Sequence, residues 1–160
     1  MRILALDVAT RTGWALGSLP GVAPESGFQN FANARGESPG MRFLRFSRWI
    51  KEMTVLSNGE NAIDLVVYEQ PQMIRSGPAA DVLFGFSTRV MEQCSRRAIE
   101  YQPVPITALK KWVTGRGNAN KEAMINAVQK RWVQDRVLAD DNEADAIALY
   151  YYAREKFDGE

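Results

Sequence analysis

Short apolar runs alternate along this chain with longer stretches in which apolar residues recur every three or four positions. Runs of the first kind predict β-strands, because successive side chains of a strand point to opposite faces of a sheet. The run from Ile63 to Tyr68 is nearly continuous and rich in β-branched residues, which suits a strand buried on both faces. The predicted strands are 2–7, 12–17, an edge strand around Phe28 and Phe31, 63–68 and 99–103.

Stretches of the second kind predict helices. These cover 41–56, a helix with Ala79, Leu83, Phe86, Val90 and Cys94 on one face, 106–113, a helix with a stripe of Met124, Ala127 and Val128, and 141–157. The early strands follow one another directly, and the later ones alternate with helices. This order predicts an α/β fold in which a mixed sheet carries helices on its faces. We expect the 160 residues to form one domain, 1–160.

Acidic residues stand at the ends of two predicted strands. Asp7 ends the first strand, and Glu69 ends the run from Ile63. Ligands of such sheets gather at the carboxyl ends of strands, and a buried carboxylate needs a partner. A third acidic element opens the last helix, where Asp141 and Asp145 are one turn apart and share a face. We therefore predict that Asp7, Glu69 and Asp145 converge on one catalytic site.

Some of these acids also have a purely structural interpretation. Asp140 and Glu143 fit a capping box, which satisfies backbone N–H groups at a helix start. Asp145 lies past the first turn and flanks an apolar face, so capping explains it poorly. Strand-end acids often only begin turns, so Asp7 or Glu69 alone would favour a structural role. The three acids together favour a metal site.

The composition narrows the chemistry that such a site can perform. The sequence contains no histidine, which excludes Ser-His-Asp and Cys-His mechanisms and imidazole-based zinc sites. Oxygen ligands alone suit Mg²⁺, with Mn²⁺ as a substitute. Two Mg²⁺ ions about 4 Å apart would relieve the repulsion between carboxylates and activate water for attack on a phosphodiester. No organic cofactor is expected.

Cysteine content and hydropathy bear on the setting of the protein. Cys94 is the only cysteine, so an intrachain disulfide cannot form, which favours a reducing, cytoplasmic environment. No apolar run approaches the roughly 20 residues of a membrane-spanning helix. We therefore expect no association with a membrane.

Basic residues concentrate between Ile106 and Arg131, although the net charge of the chain is only +1. Solvated helix faces often have such a composition, but next to a metal site it favours a phosphate-binding surface. The segment sets six basic residues against Glu122: Lys110, Lys111, Arg116, Lys121, Lys130 and Arg131. The predicted DNA-binding residues are Arg75, Lys110, Lys111, Arg116 and Lys121.

Taken together, these motifs resemble the RuvC-type Holliday junction resolvases of the ribonuclease H-like superfamily. The resemblance rests on ILALDVATRTGWAL, DLVVYEQPQM, the helix from Ala79, ITALKKWVTGRGNANKEAM and NEADAIALYYYA, in this order. It implies a ribonuclease H-like mixed five-stranded sheet flanked by helices. It also implies a metal-dependent endonuclease that cleaves branched DNA, above all four-way junctions, and a homodimer that nicks two opposed strands.

The resemblance also assigns metal ligands, with one departure. In that family the ligands are an aspartate ending the first strand, a glutamate ending the fourth and two acids on the last helix. Asp7, Glu69 and Asp145 match directly. The remaining acid lies three residues before the last one, where this sequence has Asn142. Either Asn142 is a ligand through its side-chain carbonyl, or the neighbouring Asp141 takes over.

The family also places lysines near its site and often an aromatic wedge after the glutamate. Lys110 and Lys121 correspond to those lysines, and Lys121 is expected to contribute to catalysis. The stretch 70–74 contains no aromatic residue, so any wedge would be aliphatic.

Two other functions remain open. The protein could cleave structured RNA, like the pre-16S rRNA processing relatives that share the aspartate-ending first strand. It could also bind junctions without cleaving them, with Asn142 as the mark of a lost metal ligand.

Overall fold

The fold is taken from a computed structural model, which describes residues 1–71, 76–138 and 140–159. Within these ranges the chain forms five strands and five helices, close to those that the hydrophobic pattern predicts. They are β1 (Ile3–Asp7), β2 (Arg11–Gly17), β3 (Glu25–Asn30), α1 (Met41–Thr54), β4 (Leu65–Glu69), α2 (Pro78–Arg97), β5 (Glu100–Val104), α3 (Ile106–Thr114), α4 (Lys121–Trp132) and α5 (Asp141–Phe157).

The strands form one mixed five-stranded sheet in the order β3-β2-β1-β4-β5. The pairs β1–β2 and β2–β3 are antiparallel, because short turns join these strands. The pairs β1–β4 and β4–β5 are parallel, and helices make the crossovers between them. The predicted α/β architecture is thus confirmed, and β1 and β4 are neighbours at its centre.

Side-chain alternation divides β1 and β4 between two hydrophobic cores. Ile3 and Ala5 of β1 face the core beneath α3, α4 and α5, together with Leu65 and Val67 of β4. The intervening residues face a second core beneath α1 and α2. Continuing each alternation by one step places the last residue of each strand on the α5 face of the sheet.

The core beneath α1 and α2 is built around aromatic rings. Phe46 of α1 and Phe86 of α2 are fully buried, with ring centroids 4.6 Å apart. Phe31 packs edge-on against Phe46 at 5.0 Å. The sequence pattern places Phe31 in the edge strand, but β3 ends one residue earlier, and the Phe31 ring is buried in this core.

The predicted apolar face of α2 is buried over only part of its length. Phe86, Val90 and Cys94 are buried, whereas Ala79 and Leu83 near the start of the helix are exposed. The reason is that α1, which covers α2, contacts α2 beyond this exposed start. No helix in the described ranges has both the length and the apolar character needed to cross a membrane.

Truncating the centre of the aromatic core should destabilise the fold. We expect Phe46→Ala to lower the free energy of unfolding by about 3–5 kcal/mol, because a large side chain is lost from a close-packed site. The matched control is Leu44→Ala on the same helix, whose side chain is 62% exposed; its effect should stay within about 0.5 kcal/mol. Urea denaturation followed by circular dichroism measures both, and equal effects would contradict this account of the core.

Candidate metal centre

The turn between β1 and β2 holds Asp7 at the end of its strand. Thr12 is fully buried, and its hydroxyl donates a hydrogen bond to the Ala9 carbonyl at 2.6 Å. The same hydroxyl accepts a bond from the Ala9 N–H. These bonds close a tight turn, so Asp7 is carried on a rigid strand and stays 7% exposed.

Glu69 is placed by the parallel pairing of β4 with β1. Leu6 pairs with Tyr68, and one further step of this register sets Glu69 beside Asp7. Beyond Glu69, the Gln70 N–H donates to the Val104 carbonyl at 2.9 Å, which keeps the end of β4 tied to β5. Both strand-end acids therefore lie side by side on the face of the sheet that α5 covers.

The first turn of α5 is fixed by its cap. The Asp140 carboxylate accepts hydrogen bonds from the N–H groups of Asn142 and Glu143 at 2.9 and 3.2 Å. Glu143 does not complete the predicted capping box. Its carboxylate instead accepts bonds from the Ser26 hydroxyl and the Arg136 guanidinium, because tertiary partners with a full charge outcompete the local backbone.

These elements bring three of the predicted acids together. Asp7, Glu69 and Asp145 each contribute one carboxylate oxygen, and these three oxygens lie within 4.8 Å of one another. Asp7 is buried, and the other two are partly buried. Three carboxylates gathered away from water form a site that favours either protons or a cation.

The pKa values of all three acids show the strain of this arrangement. Burial, followed by the nearby charges of Glu69 and Asp145, raises the pKa of Asp7 well above its usual range. Burial also raises the pKa of Glu69, although a hydrogen bond with Asp7 and the charge of Lys110 act in the opposite direction. Burial and the charges of Glu69 and Asp141 raise the pKa of Asp145 to about 7.

Two predicted lysines border the acids. Lys121 is the first residue of α4, where the Asn120 side chain caps the helix by accepting a bond from the Ala123 N–H at 2.8 Å. Its ammonium lies 2.8 Å from the Asp141 carboxylate, which raises the pKa of Lys121. Lys110 is partly buried on α3, and its charge acts on both Glu69 and Asp145.

The remaining predicted site residues differ in their relation to the acids. Asp141 is close enough to raise the pKa of both Asp7 and Asp145. Lys111 and Arg116 are exposed, and neither side chain makes an ion pair within the described part of the chain. Arg75 lies outside the described residues.

Two residues that the sequence analysis did not single out contact the start of α5. Arg11 donates two hydrogen bonds to the Asp140 carboxylate, from Nε at 3.2 Å and from Nη2 at 2.7 Å. Although burial opposes the effect, these bonds lower the pKa of Asp140. Gly13 lies against the backbone of Asn142. The only sequence signal for either residue is its position just after the turn that follows Asp7.

Comparisons with known proteins give the fold a reference. No protein-family model matches the sequence, and no curated protein matches it either. The RuvC structure from Thermus thermophilus is 18% identical, with a TM-score of 0.71 over 97% of this chain and 96% of that one. Its complex with a Holliday junction substrate is 17% identical, with a TM-score of 0.73 over the same shares. The yeast mitochondrial Holliday junction resolvase Ydc2 is 11% identical, with a TM-score of 0.58 over 92% of this chain and 75% of that one.

This chain has the RuvC fold. The mixed five-stranded sheet flanked by helices that the resemblance implies is thereby confirmed. At such low identity the likeness concerns the architecture, and any function has to follow from the side chains that the fold brings together.

The acids on this RuvC fold suit a hard divalent cation. Mg²⁺ and Mn²⁺ prefer carboxylate oxygens, and Asp7, Glu69 and Asp145 offer oxygens close enough to share one ion. Burial and the neighbouring carboxylates raise the pKa values of Asp7 and Asp145, and a cation bound among the acids would stabilise their charged forms. The residues present therefore fit the metal that the sequence analysis predicts.

The crowding of acids predicts a pH-dependent stability for the metal-free protein. A carboxyl group whose pKa is raised in the folded state stabilises the fold when protonated, and this contribution is lost as the pH rises. For Asp145 the loss should occur between about pH 4 and pH 7. We expect that Asp145→Asn does not show this loss. As the pH rises through that range, the free energy of unfolding of the variant should therefore increase relative to that of the wild type.

Urea denaturation in a chelator at several pH values measures the difference. Glu52→Gln, an exposed position on α1, serves as the control and should follow the wild type at every pH. Parallel pH curves for the wild type and Asp145→Asn would contradict the proposed charge crowding.

Proposed function

We propose that this protein is a metal-dependent endonuclease that cleaves branched DNA, with four-way junctions as its preferred substrate. The observation that carries the proposal is the convergence of Asp7, Glu69 and Asp145 at one edge of a RuvC fold. One matching structure contains a Holliday junction substrate, and another matching protein is a Holliday junction resolvase.

In this proposal Asp7, Glu69 and Asp145 hold Mg²⁺, and Asp141 completes a site for two ions. When bound, the metal lowers the pKa of water and polarises a phosphoryl oxygen. The protein's part is to fix the carboxylates on β1, β4 and α5, all of which are rigid elements. Burial of Asp7 limits access of bulk water to one side of the site.

The lysines contribute positive charge where the scissile phosphate would lie. Lys121 is 83% exposed beyond its contact with Asp141, so its ammonium can reach a phosphate at the mouth of the site. Lys110 is partly buried, and its charge acts on Glu69 and Asp145. Lys111 and Arg116 belong to the same basic segment, and they are proposed, together with Arg75, to contact the DNA backbone.

The proposed enzyme acts as a homodimer, since opposed strands of a junction must both be nicked. The exposed start of α2 supports this arrangement, because Leu83 and Phe84 are each 37% exposed there. The protein is proposed to work in a reducing, cytoplasmic compartment, consistent with the single cysteine, Cys94, which is free and buried.

Removing one central acid should abolish cleavage but leave DNA binding intact. We expect Asp7→Asn to lower the rate of Mg²⁺-dependent cleavage of a synthetic four-way junction by more than about 100-fold, beyond what loss of an outer-shell partner costs. Binding of the junction should not weaken, because the change removes a negative charge. Asp64→Asn, at the opposite end of β4 from Glu69, serves as the control and should cleave like the wild type.

The substrates in this experiment separate the three candidate functions. Cleavage by the wild-type protein is measured on a four-way junction, on a linear duplex with the same arm sequence and on a structured RNA. Preferred cleavage of RNA would favour the RNA-processing alternative. Junction binding without cleavage of any substrate, and without uptake of Mn²⁺ in calorimetry, would favour a binding protein that lost its catalysis.

A second comparison decides which residue completes the site. We expect Asp141→Asn to weaken Mn²⁺ binding by about 10-fold or more, because the Asp141 charge already acts on Asp7 and Asp145. Asn142→Ala should bind Mn²⁺ like the wild type. Calorimetry with Mn²⁺ measures both variants, and the reverse pattern would make Asn142 the fourth ligand.

A further inference from the structure

The backbone of Gly13 lies against the first turn of α5 without any intervening side chain. A Cβ atom at this position would lie 1.9 Å from the carbonyl oxygen of Asn142 and 2.2 Å from its carbonyl carbon. It would also lie 2.8 Å from the backbone nitrogen of Glu143. Real Cβ atoms do not approach backbone this closely, so any side chain at this position requires the helix or the strand to move.

This contact lies directly beside the proposed metal ligands. Gly13 is the cross-strand partner of Asp7 in the β1–β2 ladder. Asn142 lies between Asp141 and Asp145 on α5. The closeness of Gly13 to α5 therefore sets the distance between an acid of the sheet and the acids of the helix. Glycine is needed here for space, as is common where two backbones meet.

A charged contact holds the same turn from the side. Arg11, two residues before Gly13 on β2, binds the Asp140 carboxylate that caps α5. The Arg11 guanidinium also lies over the ring of Phe28 on β3, 4.1 Å from its centroid. Arg11 thus links β2 and β3 to the start of α5. It thereby opposes movement of the first turn of α5 along β2 at Gly13.

We infer that Gly13 and Arg11 are positioning residues of the metal site, and that they set the spacing between the carboxylates of Asp7 and Asp145. This inference rests on the proposed function, since the spacing matters for a bound metal. Neither residue contacts the metal or the DNA in this account. Both act through the placement of α5.

A second glycine provides a matched control for the role of Gly13. Gly17 lies on the same strand and also faces α5, where an added Cβ would lie 2.5 Å from the hydroxyl oxygen of Tyr150. Tyr150 is five residues beyond Asp145, or about 7.5 Å further along the helix. Gly17→Ala therefore disturbs the packing of the same helix on the same strand, but at a distance from the acids.

The test compares Gly13→Ala with Gly17→Ala. Calorimetry with Mn²⁺ should show about 10–100-fold weaker metal binding for Gly13→Ala and wild-type binding for Gly17→Ala, the range typical of lost outer-shell support. Thermal unfolding reports how much each variant destabilises the fold. Metal binding that falls in proportion to the melting temperature in both variants would overturn the positioning role.

Arg11 offers an independent test in case Gly13→Ala does not fold. Its side chain is 49% exposed, so substitution leaves no cavity in the core. Arg11→Met should lower kcat for junction cleavage about 10-fold without changing KM, whereas Arg11→Lys should recover part of the rate by restoring one ion pair with Asp140. Wild-type kcat for Arg11→Met, or equal losses for Met and Lys, would contradict the inference.

The wild-type protein separates a failure of this inference from a failure of the proposed function. Absence of Mn²⁺ uptake and of cleavage by the wild type would overturn the proposed function. In that case a crystal structure of Gly13→Ala still shows whether the first turn of α5 moves away from Asp7. An unmoved turn would overturn the positioning role by itself.

Discussion

The acidic site depends on how closely the first turn of α5 approaches the backbone of β2. Asp7 and Glu69 arrive on strands, and strand pairing fixes their separation. Asp145 arrives on a helix, which could pack at any of several heights above the sheet. The absence of a side chain at Gly13 lets α5 sit low enough for its carboxylate to join the other two. The place of Asp145 among the acids, and the charge that it adds to the site, follow from this approach.

Because α5 lies so close to the sheet, negative charges gather at a place where they do not stabilise the fold. Burial raises the pKa values of Asp7, Glu69 and Asp145, and the charges of neighbouring carboxylates raise those of Asp7 and Asp145 further, so the metal-free site is under electrostatic strain at neutral pH. Two hydrophobic cores, one on each face of the sheet, offset this strain. Strain confined to a preformed cluster of ligands is typical of a site whose stability is completed by a bound cation.

Sequence signals located the acids but not the contacts that hold them. Alternation along two short strands predicts which face Asp7 and Glu69 occupy, and helical spacing predicts that Asp145 lies off the capping turn. These signals come from residues that are close together along the chain, so a single sequence is enough to detect them. The partner of Arg11 is Asp140, 129 residues further along the chain, and no spacing rule predicts such a pair. The partial exposure of α2 likewise depends on where α1 begins, since Phe43 near the start of α1 packs against Phe86, and only the packed structure shows this.

The departure from the resolvase pattern on α5 is best understood through helix geometry. Successive residues of a helix differ by about 100°, so the residue four before Asp145 lies about 40° to one side of it, and the residue three before lies about 60° to the other. Both directions remain on the face toward the sheet. On the first side, Asp141 lies 2.8 Å from the ammonium of Lys121. On the other, Asn142 presents its backbone carbonyl to Gly13. In the proposed metal site, the shift of the acid by one residue leaves a carboxylate beside Lys121. The neutral Asn142 takes the position whose backbone packs against β2.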